Sequence, residues 1–370
     1  MHVTCPDCGQ RKQLTPQDWR CQCGATWDLQ EKINFQPEYI QPNEQTIWRY
    51  HKFIDHDNLL NPISLGAGGT PLIPLQYDGM SVWLKMEYLN PTGSFKDRGV
   101  ELMMNWLKAH SITHVVEDSS GNAGASVAAY AARLGMQADI YVPADASPAK
   151  LAQITIFGAN VHSISGPRIE ATNAAIATLN DEVAYASHAY HPMYLLGQQT
   201  AAWEIWEQMN GQGPDWCVVP VGQGGQLLGL FYGFQCLLEV GLINTIPRLI
   251  AVQASNLAPL GYAMQQSEEI WPEMHQRQSS VADGIQISHP VRWRQLLRAI
   301  KNSNGLCVDV SEEDILINQK QLAKMGFFVE PTSAVVLSAL HTIKEKVTRK
   351  EKVVLSLTGN GLKKQAVVKN

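Results

Sequence analysis

The sequence predicts an α/β protein built on mainly parallel sheets, and three observations carry that prediction. Short apolar segments recur between stretches of helical periodicity, three of them run into glycine-rich turns, and no internal repeat or low-complexity tract interrupts the alternation. The 370 residues, 45% of them apolar, suffice for two ordinary domains and a small appendage. With 17% charged residues and a formal net charge of -5, no basic footprint points to nucleic acid or an anionic membrane as a partner.

Along the chain, the first element is a cysteine-rich segment. Four of the seven cysteines fall in the first 23 residues, as Cys5-x-x-Cys8 and Cys21-x-Cys23, each pair closely followed by glycine. Two thiolate pairs a dozen residues apart can converge on one tetrahedral metal, and the glycines relieve the tight turns that aim backbone amides at sulfur. Met1–Asp7 lacks the charged-then-apolar pattern of a secretory leader, which disfavours disulfides. A structural zinc ribbon over residues 1–30 is therefore expected, its four thiolates leaving no open coordination position. Cys217, Cys236 and Cys307 stand alone in apolar surroundings and read as core.

Residues 30–60, with Tyr39, Trp48, Tyr50 and Phe53, show weak periodicity and read as a connecting arm. The segments 82–86, 114–118, 138–142, 216–220, 248–252 and 353–357 read as strands, with helical stretches at 98–110, 124–134 and 200–209. The stretch from Leu227 to Ile243 is interrupted by Gln235, Glu239 and three glycines, and reads as a buried helix instead of a membrane span. A cytoplasmic enzyme is the expectation.

Chemistry concentrates at loops that follow strands, where such folds gather ligands. Pro91-Thr92-Gly93-Ser94-Phe95-Lys96-Asp97-Arg98-Gly99 places one lysine, framed by hydroxyls and glycines, where a loop turns into a helix. A lysine there can be desolvated and hold an aldehyde cofactor as a Schiff base; alone, it reads equally as a solvated helix start. Three glycine turns keep it company: Ser119-Ser120-Gly121-Asn122-Ala123-Gly124, Gly222-Gln223-Gly224-Gly225-Gln226 and Thr358-Gly359-Asn360-Gly361. The 222–226 turn can offer consecutive backbone amides at a helix start, a cradle for a small phosphate monoester; it lacks the nucleotide P-loop ending. Asn122 suits a phenolate or carbonyl oxygen, and the Thr358 hydroxyl suits a neutral ring nitrogen. Together these are the contacts that pyridoxal phosphate requires.

On those residues the chain resembles the fold-type II pyridoxal phosphate enzymes, the group that contains threonine synthases, serine/threonine dehydratases and tryptophan synthase β. The resemblance runs from about Leu65 to Lys364: Gly68-Gly69-Thr70-Pro71-Leu72 is similar to the entry motif, with Ala67 where glutamate is usual. Asn90–Gly99 is similar to the threonine synthase lysine motif, and Glu330-Pro331-Thr332-Ser333-Ala334 and Leu357–Lys363 to further family segments. The resemblance implies Lys96 as the Schiff-base and proton-shuttling lysine, Asn122 at the cofactor's ring oxygen, Gly222, Gln223, Gly224, Gly225 and Gln226 at its phosphate, and Thr358 at its ring nitrogen. Ser119, Ser120, Gly121 and Asn122 would hold the carboxylate of a small amino-acid substrate, and Cys5, Cys8, Cys21 and Cys23 the zinc. It further implies two doubly wound domains with the cofactor in the cleft between them: a ribbon (1–30), a large cofactor-binding domain (31–92 and 190–370) and a small mobile domain (93–189). The ribbon is expected to pack on the large domain, and the whole to form a homodimer.

For a threonine synthase the implied reaction removes the α and β protons of O-phosphohomoserine, expels its γ-phosphate and adds water at the β carbon, giving threonine and phosphate. One departure leaves an alternative open. In His191-Pro192-Met193-Tyr194-Leu195-Leu196-Gly197-Gln198-Gln199-Thr200, Tyr194 stands where the family has an arginine for the substrate phosphate, and a phenol carries no positive charge. His188, His191 and Arg168 are candidates to compensate, although both histidines read first as packing or surface residues. Ala282-Asp283-Gly284-Ile285 is similar to a dehydratase tetrad. The alternative is β-elimination or β-replacement on another amino acid: a serine/threonine dehydratase, a diaminopropionate lyase or a phosphoserine-using synthase. A catalytically idle relative working as a binding module is a third reading, which the intact lysine and cofactor loops disfavour.

Overall fold

A computed structural model describes residues 1–55, 57, 59, 61–146, 148–266, 271 and 278–363; the end of the expected large domain, 364–370, lies outside them. In chain order the strands are β1 (His2–Thr4), β2 (Arg11–Gln13), β3 (Asp28–Leu29), β4 (Leu72–Tyr77), β5 (Met80–Lys85), β6 (His114–Glu117) and β7 (Gln137–Pro143). They continue as β8 (Asn160–Ile164), β9 (Val183–Tyr185), β10 (Trp216–Pro220), β11 (Arg248–Ala254), β12 (Leu306–Val310) and β13 (Lys352–Ser356). The six strands read from sequence are β5, β6, β7, β10, β11 and β13. They are runs of apolar residues buried on both faces, as in β10, where all five residues are buried.

The chain divides into two compact units. The first comprises Met1–Gly69, Asn90–Thr92 and Lys96–Gln198. Its main sheet has the order β8-β7-β6-β9 with every pair parallel. The chain thus starts at β6, builds outward through β7 and β8, and returns to the other side of β6 as β9. The Asn122–Leu134 helix that follows β6 is rich in alanine, buries ten of its thirteen residues and ends on Gly135 at φ 65°, a left-handed cap that costs glycine little. The Pro192–Gln208 helix begins eight residues ahead of the expected Thr200, with a proline in its first position.

Residues 31–69 group with this unit, whereas the sequence reading assigns 31–92 to the large domain. The reason is a buried carboxylate. Glu101, on the Lys96–Ala109 helix, accepts the Trp48 indole N–H (2.6 Å), the Tyr130 hydroxyl (2.7 Å) and the Leu65 and Ala67 amides (3.3 Å each). Asn105 adds a bond from the Ile63 amide. The cysteine-rich segment is a small antiparallel sheet, β2-β1-β3. Its expected packing on the large domain is corrected by Trp19, whose ring meets Tyr185 and Tyr190 edge-on at 5.4 and 5.1 Å, and by Gln17, which donates to the Asp181 carbonyl. A ring of that size supplies more apolar contact than the ribbon's short strands.

The second unit comprises Thr70–Leu89, Gly93–Phe95 and Gln199–Asn370. Its sheet has the order β12-β11-β10-β13-β5-β4, parallel except for the antiparallel edge strand β4. The first four strands repeat the pattern of the other unit: β10 starts, β11 and β12 build outward, and β13 returns beside β10. The Pro331–Ile343 helix lies on the core of this unit with eleven buried positions. Among the described residues no helix is long and apolar enough to cross a membrane.

Close approach of two helices in the first unit rests on a missing side chain. A methyl group at Gly99 would overlap the ring of Tyr194 and its carbonyl oxygen. Gly99→Ala is expected to destabilise the protein by about 1–3 kcal/mol, the usual cost of overpacking, read as a lower urea midpoint; an unchanged midpoint would contradict this packing.

Candidate active site

In open α/β sheets ligands settle beyond the carboxyl ends of the two strands at which the strand order reverses. In the first unit those strands are β6 and β9. Ser119, Ser120, Gly121 and Asn122 lie directly after β6, half-buried, with Asn122 opening the helix. No side chain caps that helix start, a place where backbone amides can receive a carboxylate. Gly124 makes the fold of the loop possible, since a Cβ would strike the Ser119 carbonyl. Lys96 is the first residue of its helix and half-buried. Its neighbour Asp97 is buried and accepts from the Thr92 amide and hydroxyl (2.7 Å each) and from Ser126 (2.5 Å), which fixes the turn that presents the lysine.

The same reversal in the second unit falls between β10 and β13. Gly222–Gln226 follows β10 and Thr358–Gly361 follows β13, so the two predicted loops are neighbours within that unit. Gly224 takes φ 81°, caps the Gly225–Glu239 helix and leaves no room for a Cβ beside Leu296. A Cβ on Gly222 would sit 3.0 Å from the Gly284 carbonyl. No side chain caps this helix, and the buried Gln226 Oε1 has no hydrogen-bond partner. A backbone cradle at a helix start, with a left-handed glycine at Gly224 and little room beside Gly222, fits a phosphate group. Thr358 is buried, its Oγ1 2.9 Å from Ser333 Oγ, and Ser333 also accepts from the Thr358 and Gly359 amides at 3.0 and 2.8 Å. That anchor orients the threonine hydroxyl and can hold it toward a ring nitrogen.

The four N-terminal cysteines place their sulfurs within 4.8 Å of one another, with Cys5 and Cys23 3.4 Å apart and Cys8 and Cys21 3.6 Å apart. The Cys8 amide points at the Cys5 sulfur, and Gly9 and Gly24 take φ 75° and 92°. A hydrogen bond from the Gln10 backbone, followed by the neighbouring thiols, holds the Cys8 thiol down at about 7. This donor set can enclose one tetrahedral ion.

The other sequence candidates separate clearly. Tyr194 is only 1% exposed and lies against Gly99, so it is a packing residue. His191 is buried edge-on to Trp106 at 5.4 Å, and its Nδ1 accepts from the Met193 amide. Arg168 is largely exposed, 3.6 Å from Asp118. The tetrad 282–285 forms a short turn under the 222–226 loop, its Gly284 amide donating to Thr332. His188 differs from the rest: its Nδ1 is 2.7 Å from Oε1 of the fully buried Glu117. Sequence reasoning missed Glu117, Asp97 and Ser333 as site residues. Only a charge at the end of an otherwise apolar strand marked Glu117.

A family model described as pyridoxal-phosphate dependent enzyme matches residues 63–359. The threonine synthase of Methanocaldococcus jannaschii is 32% identical over 374 residues, covering 97% of this chain and 92% of that protein. The threonine synthase of Mycobacterium tuberculosis is 34% identical over 311 residues, covering 82% and 84%. Maize serine racemase superposes with a TM-score of 0.69 at 19% identity, over 79% of this chain and 88% of that one, a likeness of fold.

Ser333→Ala would leave two buried amides and the Thr358 hydroxyl without their partner. A loss of about 1–3 kcal/mol is expected in urea unfolding. A variant as stable as the parent would show that Ser333 does not anchor the loop.

Proposed function

The chain belongs to the pyridoxal-phosphate dependent enzyme family, and from that premise we propose a threonine synthase-like lyase that converts O-phosphohomoserine and water to threonine and phosphate. One observation carries the reading: identity of 32–34% to threonine synthases over most of the chain, with the Asn90–Gly99 lysine motif inside the matched region. The cofactor supplies an electron sink for the carbanion left when a substrate proton is removed. The residues of the chain do the rest. Lys96 Nζ would hold the cofactor, and the same amine would carry protons at the substrate's carbon atoms. The amides of 222–226 would receive the cofactor phosphate, Thr358 Oγ1 would pair with the ring nitrogen with Ser333 anchoring it, and Asn122 would pair with the ring oxygen. Ser119–Asn122 hold the substrate carboxylate by amides and a hydroxyl.

Tyr194 favours a second reading, in which the same machinery eliminates or replaces a β substituent of another amino acid. A buried phenol cannot neutralise a phosphate dianion, and serine, threonine, phosphoserine and diaminopropionate are the substrates to compare.

For the N-terminal segment we propose a structural zinc ribbon with Cys5, Cys8, Cys21 and Cys23 as ligands. Zinc–thiolate bonds of about 2.3 Å in a tetrahedron separate the sulfurs by about 3.8 Å, close to the spacings of the two nearest pairs. Four thiolates belong to a reducing compartment, which supports a cytoplasmic enzyme.

Purified protein is expected to carry the visible absorbance of bound pyridoxal phosphate and to release phosphate from O-phosphohomoserine, with both lost in Lys96→Ala. Absorbance without phosphate release at any substrate concentration would move the assignment to the second reading. Metal analysis is expected to give one zinc per chain, reduced to a small fraction in Cys8→Ser and Cys23→Ser with the cofactor absorbance kept; an equal zinc content in those variants would remove the ribbon.

A further inference from the structure

Glu117 and His188 meet at the point where the strand order of the first unit reverses. Glu117 ends β6; β9 pairs with β6 in parallel through Val116 and Tyr185, and His188 stands three residues past that register. The Ala186 amide donates to the Val116 carbonyl, which ties the two strand ends together. Glu117 is 0% exposed and its Oε2 has no hydrogen-bond partner, while Oε1 is 2.7 Å from His188 Nδ1. With Nδ1 occupied, the partly accessible ring (12%) keeps Nε2 for another group, beside the loop that begins at Ser119. Its ring stands edge-on to Tyr194 at 6.0 Å.

We propose that His188 is the catalytic acid–base at the departing end of the substrate, with Glu117 as its positioning residue. The inference rests on the lyase reading above. The charged groups around the pair are Lys96, Asp118 and Arg168, with Tyr185 hydrogen-bonded to Asp118 and Tyr194 over the ring. Burial, and next the charge of Asp118, lift the Glu117 carboxyl well above the usual carboxylate range. Burial, and next the charge of Lys96, hold the His188 imidazolium below its ordinary range. In the proposed resting state Glu117 carries one proton, given to Nδ1 across the 2.7 Å contact, and the ring proton sits on Nε2.

That state suits the loss of a phosphate. When the C–O bond of a dianionic phosphomonoester breaks, the electron pair stays on the phosphate oxygen, which would leave as a trianion without a proton. His188 Nε2–H supplies the proton, the Glu117 proton crosses to Nδ1, and the pair ends as a carboxylate beside a neutral imidazole. Water then adds at the β carbon, its oxygen bonding carbon and its proton returning to Nε2, while the Nδ1 proton returns to Glu117. One proton leaves and one comes back, so the proton count closes over the cycle.

The test is made on the cofactor-loaded full chain. His188→Asn and His188→Ala should keep the cofactor absorbance and lose about 10²–10⁴-fold in phosphate release, the usual contribution of a general acid–base. Imidazole added to His188→Ala should restore part of the loss, and Glu117→Gln should shift the pH–rate profile. Independently of turnover, a downfield proton resonance for the Glu117–His188 bond should be present in the parent and absent from Glu117→Gln and His188→Asn. Activity of His188→Asn within threefold of the parent would overturn the proposal. So would a cofactor-loaded His188→Ala that imidazole does not rescue, or absence of the resonance in the parent. A parent that binds no cofactor overturns the lyase reading instead, one that binds it but releases no phosphate moves the assignment to the second reading, and in both cases the resonance alone decides whether the pair holds its proton.

Discussion

In each unit four parallel strands follow one path: the first lies inside the sheet, the next two build outward on one side, and the fourth returns to pair with the first on its other side. β6 with β9, and β10 with β13, therefore end next to one another, and the loops that follow them part in different directions. This reversal is a consequence of parallel pairing, which needs a crossover between successive strands and leaves the loops after two neighbouring strands free to diverge. The residues proposed to hold cofactor and substrate after the lysine motif, 119–122, 222–226 and 358, lie on three of the loops that follow those strands or on the first turn of the helix that a loop leads into. Backbone amides at those helix starts have no intrahelical partner, and the glycines keep side chains away from them.

Buried carboxylates then set the positions of the loops. Asp97 takes three hydrogen bonds and fixes the turn at Lys96; Glu101 takes four and clasps the arm to the same helix. Asp118 accepts from Tyr185 and Thr172 directly before the Ser119 loop. A buried carboxylate is costly unless donors surround it, so these three hold their neighbours firmly. Glu117 has one donor-capable partner and one vacant oxygen, which marks it out from a structural acid. Lys85 shows the opposite pattern to a reactive lysine: its ammonium is buried and its three donors go to the Thr70 carbonyl, Glu204 and Gln208.

The alternation of apolar runs and helical stretches made the parallel strands β5, β6, β7, β10, β11 and β13 legible, because burial on both faces leaves a continuous apolar signature. β4, β8, β9 and β12 escaped notice: they are two-faced, short or at sheet edges, with polar residues such as Asn160, His162 and Ser163 among them. The glycine loops were legible because a left-handed or crowded backbone position demands glycine locally, as at Gly224. The arm's attachment and the place of the cysteine-rich segment were not, since they depend on Trp48 reaching Glu101 and Trp19 reaching Tyr185, contacts between residues 53 and 166 positions apart that no local pattern encodes. Glu117 and His188 belong to the same class: only the β6–β9 register brings them together.

Every role proposed for the site depends on Lys96 as the residue that holds the cofactor. Borohydride reduction of the pyridoxal phosphate-loaded protein, followed by peptide mass mapping, tests it most directly. One pyridoxyl group on the peptide that contains Lys96 is the predicted result. A group on Lys85 or any other lysine, with Lys96 unmodified, would contradict it.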